Sequence, residues 1–532
     1  MSAENVRNRK AYFIGGGVGA LSGAVFLIRD GKMPAENIHI YEKLNISGGS
    51  MDGSGNADDG YVIRGGRMFD YEQYPALWNV LSEIPAISNK NISVYDEIKD
   101  FNEKVQTNGK ARLVDRNGHI TDVSSMGFDE SDRISLVKLM VKSEHSLEDI
   151  TIEDFFSPHF FTTNFWYMWA TTFAFEPWHS AIEFKRYLHI FIHEFPRINN
   201  LSGVKRSLYN QYDSVILPME LWLKEQGVVF EYDCEVKDIE FNTIENNEKS
   251  VSKLCISRNG TDENVNINHD DIVIITNGSM TSATTLGSMT SPPVFSKSNL
   301  GTSWEFWERI SAGKPEFGNP KVFDSDIDRS FWESFTVTCN KDNKFLDMME
   351  KFSGNTPGTG ALVTLKDSNW LMSIVIAYQP HFLNQPEGVT VFWGYGLFPN
   401  REGDYIKKKM TECTGEEILA ELLHHLKFDD YIPEMISTSN CIPCILPFIT
   451  SQFMPRKISD RPRVRPSGYK NLAFIGQFVE IPEGVVFTVE YSVRTAMTAV
   501  YDFLEIEKEI PTYCKGDKDI MVLFDSFVTM HK

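Results

Sequence analysis

The stretch Ala11–Ile28, AYFIGGGVGALSGAVFLI, decides the fold. Ala11–Ile14 reads as a short apolar strand. Gly15, Gly17 and Ala20 then fit the spacing G-x-G-x-x-G/A, with Gly19 in the same run. The first glycine of such a pattern permits a tight turn. The second lets the backbone approach a pyrophosphate, and a small third residue lets the following helix pack close to the sheet. The N-terminus of that helix is an anion site. Ile38–Tyr41 reads as a second strand, with Glu42 at its end placed to accept from a ribose hydroxyl. A membrane span or signal segment is the competing reading of so apolar a stretch. The glycines before Ala20, and the lack of a cleavage-type site after a basic start, argue against it.

Working outward, Gly48, Gly49 and Ser50 form a second glycine turn. It favours FAD over NAD, because it can receive the flavin side of the pyrophosphate. At the far end, NLAFIG (Asn471–Gly476) reads as a strand ending in glycine. FTVEYSVRTA (Phe487–Ala496) then starts a helix with Thr488 and Ser492 near its opening turns. Arg67, Val236, Asn277 and Ser279 complete the expected cofactor contacts, the last two on a turn after a strand at 271–276. The expected fold class is α/β, with a discontinuous FAD-binding Rossmann-type domain drawn from residues 1–70, 200–295 and 465–510. A helical, aromatic-rich region (71–199), a substrate-binding β-sheet lobe (296–464) and a short C-terminal segment (511–532) complete the chain.

Composition sets the outer limits. A net charge of −21 over 532 residues excludes nucleic acid as a partner and weakens attraction to an anionic membrane. Seven scattered cysteines, an odd number, point to a reducing, cytoplasmic compartment. Cys441 and Cys444 form a lone C-x-x-C that reads as packing rather than as zinc or redox chemistry. Alternation predicts strands over 228–241, 252–257 and 271–276, and 330–340 and 361–395 also read as strands; apolar residues on one face predict a helix over 71–85, and 132–147, 176–195 and 415–427 read as helices. Phe155–Phe175, FFSPHFFTTNFWYMWATTFAF, is dense in aromatic rings. Core is the default for each ring, and a lining for a long apolar ligand is the functional reading of the whole run.

RGGR (Arg64–Arg67), FAFEPWHSA (Phe173–Ala181), KRYL (Lys185–Leu188), NQYDS (Asn210–Ser214), EFGNP (Glu316–Pro320), GDYIKKKMTECTGEEI (Gly403–Ile418) and EYSVRTAM (Glu490–Met497) occur together. In this combination the chain resembles the oleate hydratase family, the fatty acid double-bond hydratases once called myosin-cross-reactive antigens, over roughly residues 10–525. The resemblance implies an FAD-requiring enzyme that adds water across an isolated cis double bond of a free unsaturated fatty acid, with no net electron transfer. A tyrosine donates the proton and a carboxylate handles the water. The tyrosine of the family's RRYL-type motif aligns with Tyr187.

The glutamate that usually follows RGGR aligns with Met68, whose thioether can neither accept a proton nor hold water strongly. Three readings stay open. Asp70 or Glu72 takes over the water; backbone and flavin place it; or the protein only binds or isomerises fatty acids. Thr438, Ser439 and Asn440 fall where the family recognises the substrate carboxylate. The ending DIMVLFDSFVTMHK lacks the family's long basic amphipathic tail, so membrane contact is expected to be weak and either a monomer or a homodimer is compatible. A redox flavoenzyme of the desaturase or amine oxidase kind is the rival class.

Overall fold

A computed structural model describes residues 6–244, 247–482 and 484–531. Its first layer is a five-stranded parallel sheet in the order Leu472–Ile475, Ile272–Thr276, Ala11–Ile14, Ile38–Tyr41, Val229–Glu231. Ala11 pairs with Ile272 on one side and with Ile38 on the other. Apart from the half-buried edge strand Val229–Glu231, these strands are almost continuously apolar and buried, as a sheet covered on both faces requires. The helix Val18–Arg29 follows the first strand directly and packs against the late helix Val489–Leu504. Small residues bring the two close: a Cβ on Gly19 would lie 3.2 Å from the Ser492 carbonyl oxygen. The apolar opening stretch is therefore a strand and a 12-residue helix inside a Rossmann-type layer. Among the described residues no helix is long and apolar enough to cross a membrane.

A second sheet of seven strands runs in the order Thr285–Leu286, Ser439–Leu446, Trp332–Cys339, Thr390–Gly396, Met372–Val375, Val363–Leu365, Leu113–Val114. It is antiparallel except at the last pairing. The helix Gly415–Leu426, opened by a Thr414 capping box, closes a separate apolar core against it. Cys441 and Cys444 lie on the strand Ser439–Leu446 and pack into different apolar cores.

Two predicted helices are shorter than their patterns, for local reasons. The 71–85 helix begins only at Pro75, because Asp70 Oδ1 accepts from the amides of Glu72 and Gln73 and folds residues 70–73 into a turn. The 176–195 helix is confined to Ala181–Ile190 and gives way to a 3₁₀ segment, Ile192–Arg197. The aromatic run is mostly core: Phe156 stacks on Phe160 at 4.0 Å, and Phe165 on Trp169 at 5.2 Å. Near the end, the helix Ile520–Met530 leaves Ile520, Met521, Phe524 and Phe527 exposed.

Candidate active site

Two cavities matter most, one at the ends of the parallel strands and one walled by the helices and loops around Tyr187. The larger, of about 520 Å3, opens above the carboxyl ends of the parallel strands. Gly15, Gly17, Gly19, Glu42, Gly49, Ser50, Val236, Ser279, Gly476 and Ser492 line it, as does Arg64. Gly15 has φ +99°, a conformation that side chains resist. Gly17 has φ −74° and is unstrained, but a Cβ there would meet no protein atom within 4 Å. The space it would enter is the cavity. Glu42 accepts from the amides of Gly16 and Leu44, both at 2.8 Å, which fixes its carboxylate at the rim. Burial raises its pKa against those bonds. Thr276 also lines this cavity, and its Oγ1 is buried with no partner among the described residues, a hydroxyl left for a ligand. Glycine turns, a helix N-terminus, a fixed carboxylate and a free hydroxyl together fit a dinucleotide.

Four other expected contacts lie elsewhere, Arg67 among them in the cavity around Tyr187. Asn277 is fully buried behind the wall, its Nδ2 donating to the Phe478 carbonyl. Ala20 is likewise buried and serves packing. Thr488 caps the Val489–Leu504 helix: its Oγ1 accepts from Tyr491 N and donates to Val485 O. Arg64 and Thr276, which also line the large cavity, escaped the sequence reading. Arg64 donates to Asp52 Oδ1 and to the carbonyls of Gly49 and Thr281, tying the second glycine turn to the 279–284 loop.

The smaller cavity, about 80 Å3, gathers Met68, Asp70, Thr172, Phe173, Tyr187, Phe191, Glu194, Phe487 and Thr488. Gly66 and Arg67 line both it and a neighbouring cavity of about 50 Å3 beside Tyr378 and Trp393. Arg67 Nη2 also donates to the Ser50 carbonyl at 2.8 Å, so one guanidinium links the Tyr187 cavity to the wall of the larger one. Tyr187 is 1 % exposed, and its hydroxyl donates to Val486 O at 2.6 Å. Burial, then the neighbouring Tyr74 and Glu183, hold its pKa well above the ordinary value, so the phenol stays protonated. Phe173, Phe175 and Phe191 surround the ring at 5.0, 5.0 and 5.5 Å.

A buried ion cluster fixes the helix that carries Tyr187. Glu183 contacts Arg456 at 2.8 Å and Arg461 at 3.0 Å, and Arg186 contacts Glu144 at 2.7 Å and Glu480 at 2.6 Å. The three arginines outweigh burial and hold the Glu183 carboxyl down to about 2.

Of the two acids proposed to replace the missing glutamate, Asp70 is at the cavity and Glu72 is not. The Glu72 side chain is 53 % exposed and lies 3.9 Å from His193. Thr438, Ser439 and Asn440 reach none of these cavities. Their side chains donate to the carbonyls of Glu434, Met435 and Asp59, serving the helix end and the sheet edge.

Fold and site define a Rossmann-type α/β protein whose large cavity adjoins a small, aromatic-walled one holding a buried tyrosine. The chain belongs to the MCRA family, whose model matches residues 8–501. It is 40% identical to an oleate hydratase of Streptococcus pyogenes serotype M49 (strain NZ131), over 98% of this chain and 90% of that protein. It is 35% identical to a linoleate hydratase of Lactiplantibacillus plantarum, over 96% of this chain and 97% of that one. An oxidoreductase structure from Methanosarcina mazei is 12% identical, covers 92% of this chain and 99% of its own, and superposes with a TM-score of 0.49.

The open space at Gly17 gives a direct test of the large cavity. Gly17→Val is expected to fold with the melting temperature of the FAD-free wild type, since a Cβ there meets no protein atom within 4 Å, and to purify with little or no FAD. Normal FAD absorbance in the variant would show that this turn does not hold the pyrophosphate.

Proposed function

We propose that the protein is an FAD-dependent fatty acid hydratase. It adds water to a cis double bond of a free unsaturated fatty acid such as oleate and gives a hydroxy fatty acid. One observation carries this reading: Tyr187, a buried and protonated phenol, shares a cavity with the RGGR segment, and Arg67 of that segment is bonded to the glycine turn of the larger cavity. The named relatives are hydratases acting on such acids.

FAD would be held by Gly15, Gly17, Gly19, Gly49, Ser50, Gly476 and Ser492, with Glu42 at a ribose hydroxyl and Arg64 and Arg67 at the second turn. When bound, the flavin supplies electron density that offsets positive charge developing on carbon. The protein's own residues do the rest. The aromatic wall excludes bulk water, and Tyr187 delivers its hydroxyl proton to one alkene carbon while water adds to the other.

Incubation with oleate and linoleate, read by mass spectrometry, tests the reading; a product heavier by one water with no electron acceptor supports it. Glu72→Gln should leave the rate within about twofold, as expected for a surface change, whereas Asp70→Asn should lower kcat by disturbing His193. A large loss in Glu72→Gln would restore that residue as the water-handling acid.

A further inference from the structure

We infer that Glu194 is the carboxylate that takes the proton from water in the Tyr187 cavity, where Met68 leaves the family's usual position without one; this rests on the hydratase reading above. Glu194 lines that cavity together with Tyr187 and Met68. It sits on the 3₁₀ segment Ile192–Arg197, which follows the Tyr187 helix after a single residue. Proton donor and proton acceptor thus come from consecutive elements.

Its two oxygens are in different states. Oε1 is held by the Arg197 guanidinium. Oε2 is buried and has no partner among the described residues. A buried carboxylate oxygen left bare is costly, and a water in the cavity is the partner that would relieve it. Gly203 makes room for the group: a Cβ there would lie 1.8 Å from Glu194 Oε1.

Asp70 is the contrasting case. Its Oδ1 accepts two backbone amides, and its Oδ2 takes His193 Nε2 at 2.9 Å. With both oxygens engaged by donors, Asp70 presents no bare carboxylate oxygen to a water. His193 Nε2 also lies 3.5 Å from Glu194 Oε1, so Asp70 positions the imidazole and the imidazole faces Glu194. Burial raises the pKa of Glu194. Arg197 and His193 oppose that shift, while Asp70 and Glu72 add to it. A carboxylate shifted upward is the better proton acceptor near neutral pH.

The step balances without an oxidant or reductant. The Tyr187 O–H bond breaks and its proton forms a C–H bond at one alkene carbon. The water oxygen forms the C–O bond at the other carbon, keeps one hydrogen and loses the second to Glu194 Oε2. A proton returning from Glu194 to Tyr187 through cavity water resets both groups.

Glu194→Gln keeps the shape and removes the basicity. Its hydration kcat is expected to fall by about 10²–10⁴-fold, with FAD content, oleate binding by fluorescence and melting temperature close to wild type. Gly203→Ala, which displaces an unaltered carboxylate, should also lower kcat. Glu194→Asp should recover part of the rate and shift the acidic limb of the kcat–pH profile. Met68→Glu should bring no gain, because the cavity already holds a carboxylate. Wild-type turnover in Glu194→Gln, or a rate increase in Met68→Glu, overturns the inference and leaves the hydratase reading standing. A wild-type protein that adds no water to oleate overturns both. Should Glu194→Gln lose its FAD or its fold, Gly203→Ala decides, and an unchanged kcat there overturns the assignment.

Discussion

Tyr187→Phe is expected to slow hydration by about 10²–10⁴-fold, the usual contribution of a positioned general acid. The change removes one hydroxyl from a ring packed among Phe173, Phe175 and Phe191, so volume and packing hardly alter. It also leaves the Val486 carbonyl without its donor. That costs on the order of 1–3 kcal/mol for a buried acceptor, which a protein of this size tolerates. FAD content and substrate binding should therefore persist while kcat collapses. Stopped-time conversion of oleate by the FAD-loaded variant is the measurement. A wild-type rate would make Tyr187 a structural residue.

The second large effect is on stability. Glu183→Gln removes the negative charge that Arg456 and Arg461 share at the base of the Tyr187 helix. Breaking a buried ion cluster from one side typically costs about 3–5 kcal/mol; Glu480, 3.0 Å from Arg456 and 3.9 Å from Arg461, offsets part of the charge left behind and places the effect toward the lower end. The pH dependence has a definite sign. The carboxyl is held at about 2 in the folded protein against an ordinary 4.5. Its contribution is thus fully present above pH 4.5 and is lost as pH falls toward 2. Urea midpoints of wild type and variant should differ widely at neutral pH and converge in acid. A constant gap across that range would mean that Glu183 acts through packing rather than charge.

The sequence showed some parts of this site clearly and hid others, for identifiable reasons. Gly15, Gly17, Glu42, Gly49, Gly476 and Ser492 were legible because each follows a strand end or opens a helix, so local order fixes their place in the cavity. Tyr187 and Met68 were legible only through the resemblance, since nothing in local spacing says that residues 68 and 187 share one wall. Asn277 and Thr488 were read from turn and helix position, but the side chains turn to a neighbouring carbonyl and to a cap. Glu194 and His193 left no signal: they sit in a 3₁₀ segment beyond a helix, in a stretch read as one continuous helix. Their meaning arises from the turn at Asp70, which brings a carboxylate to His193 from 123 residues away. The Thr438–Asn440 cluster is polar in sequence, but the fold spends that polarity on a helix end and a sheet edge.

The most direct measurement is an anaerobic incubation of the FAD-loaded protein with oleate in water enriched in heavy oxygen. The expected result is a hydroxy fatty acid carrying one labelled oxygen, formed without any electron acceptor and with the flavin spectrum unchanged at the end. Bleaching of the flavin by substrate, a dehydrogenated product, or bound oleate recovered unaltered would contradict it.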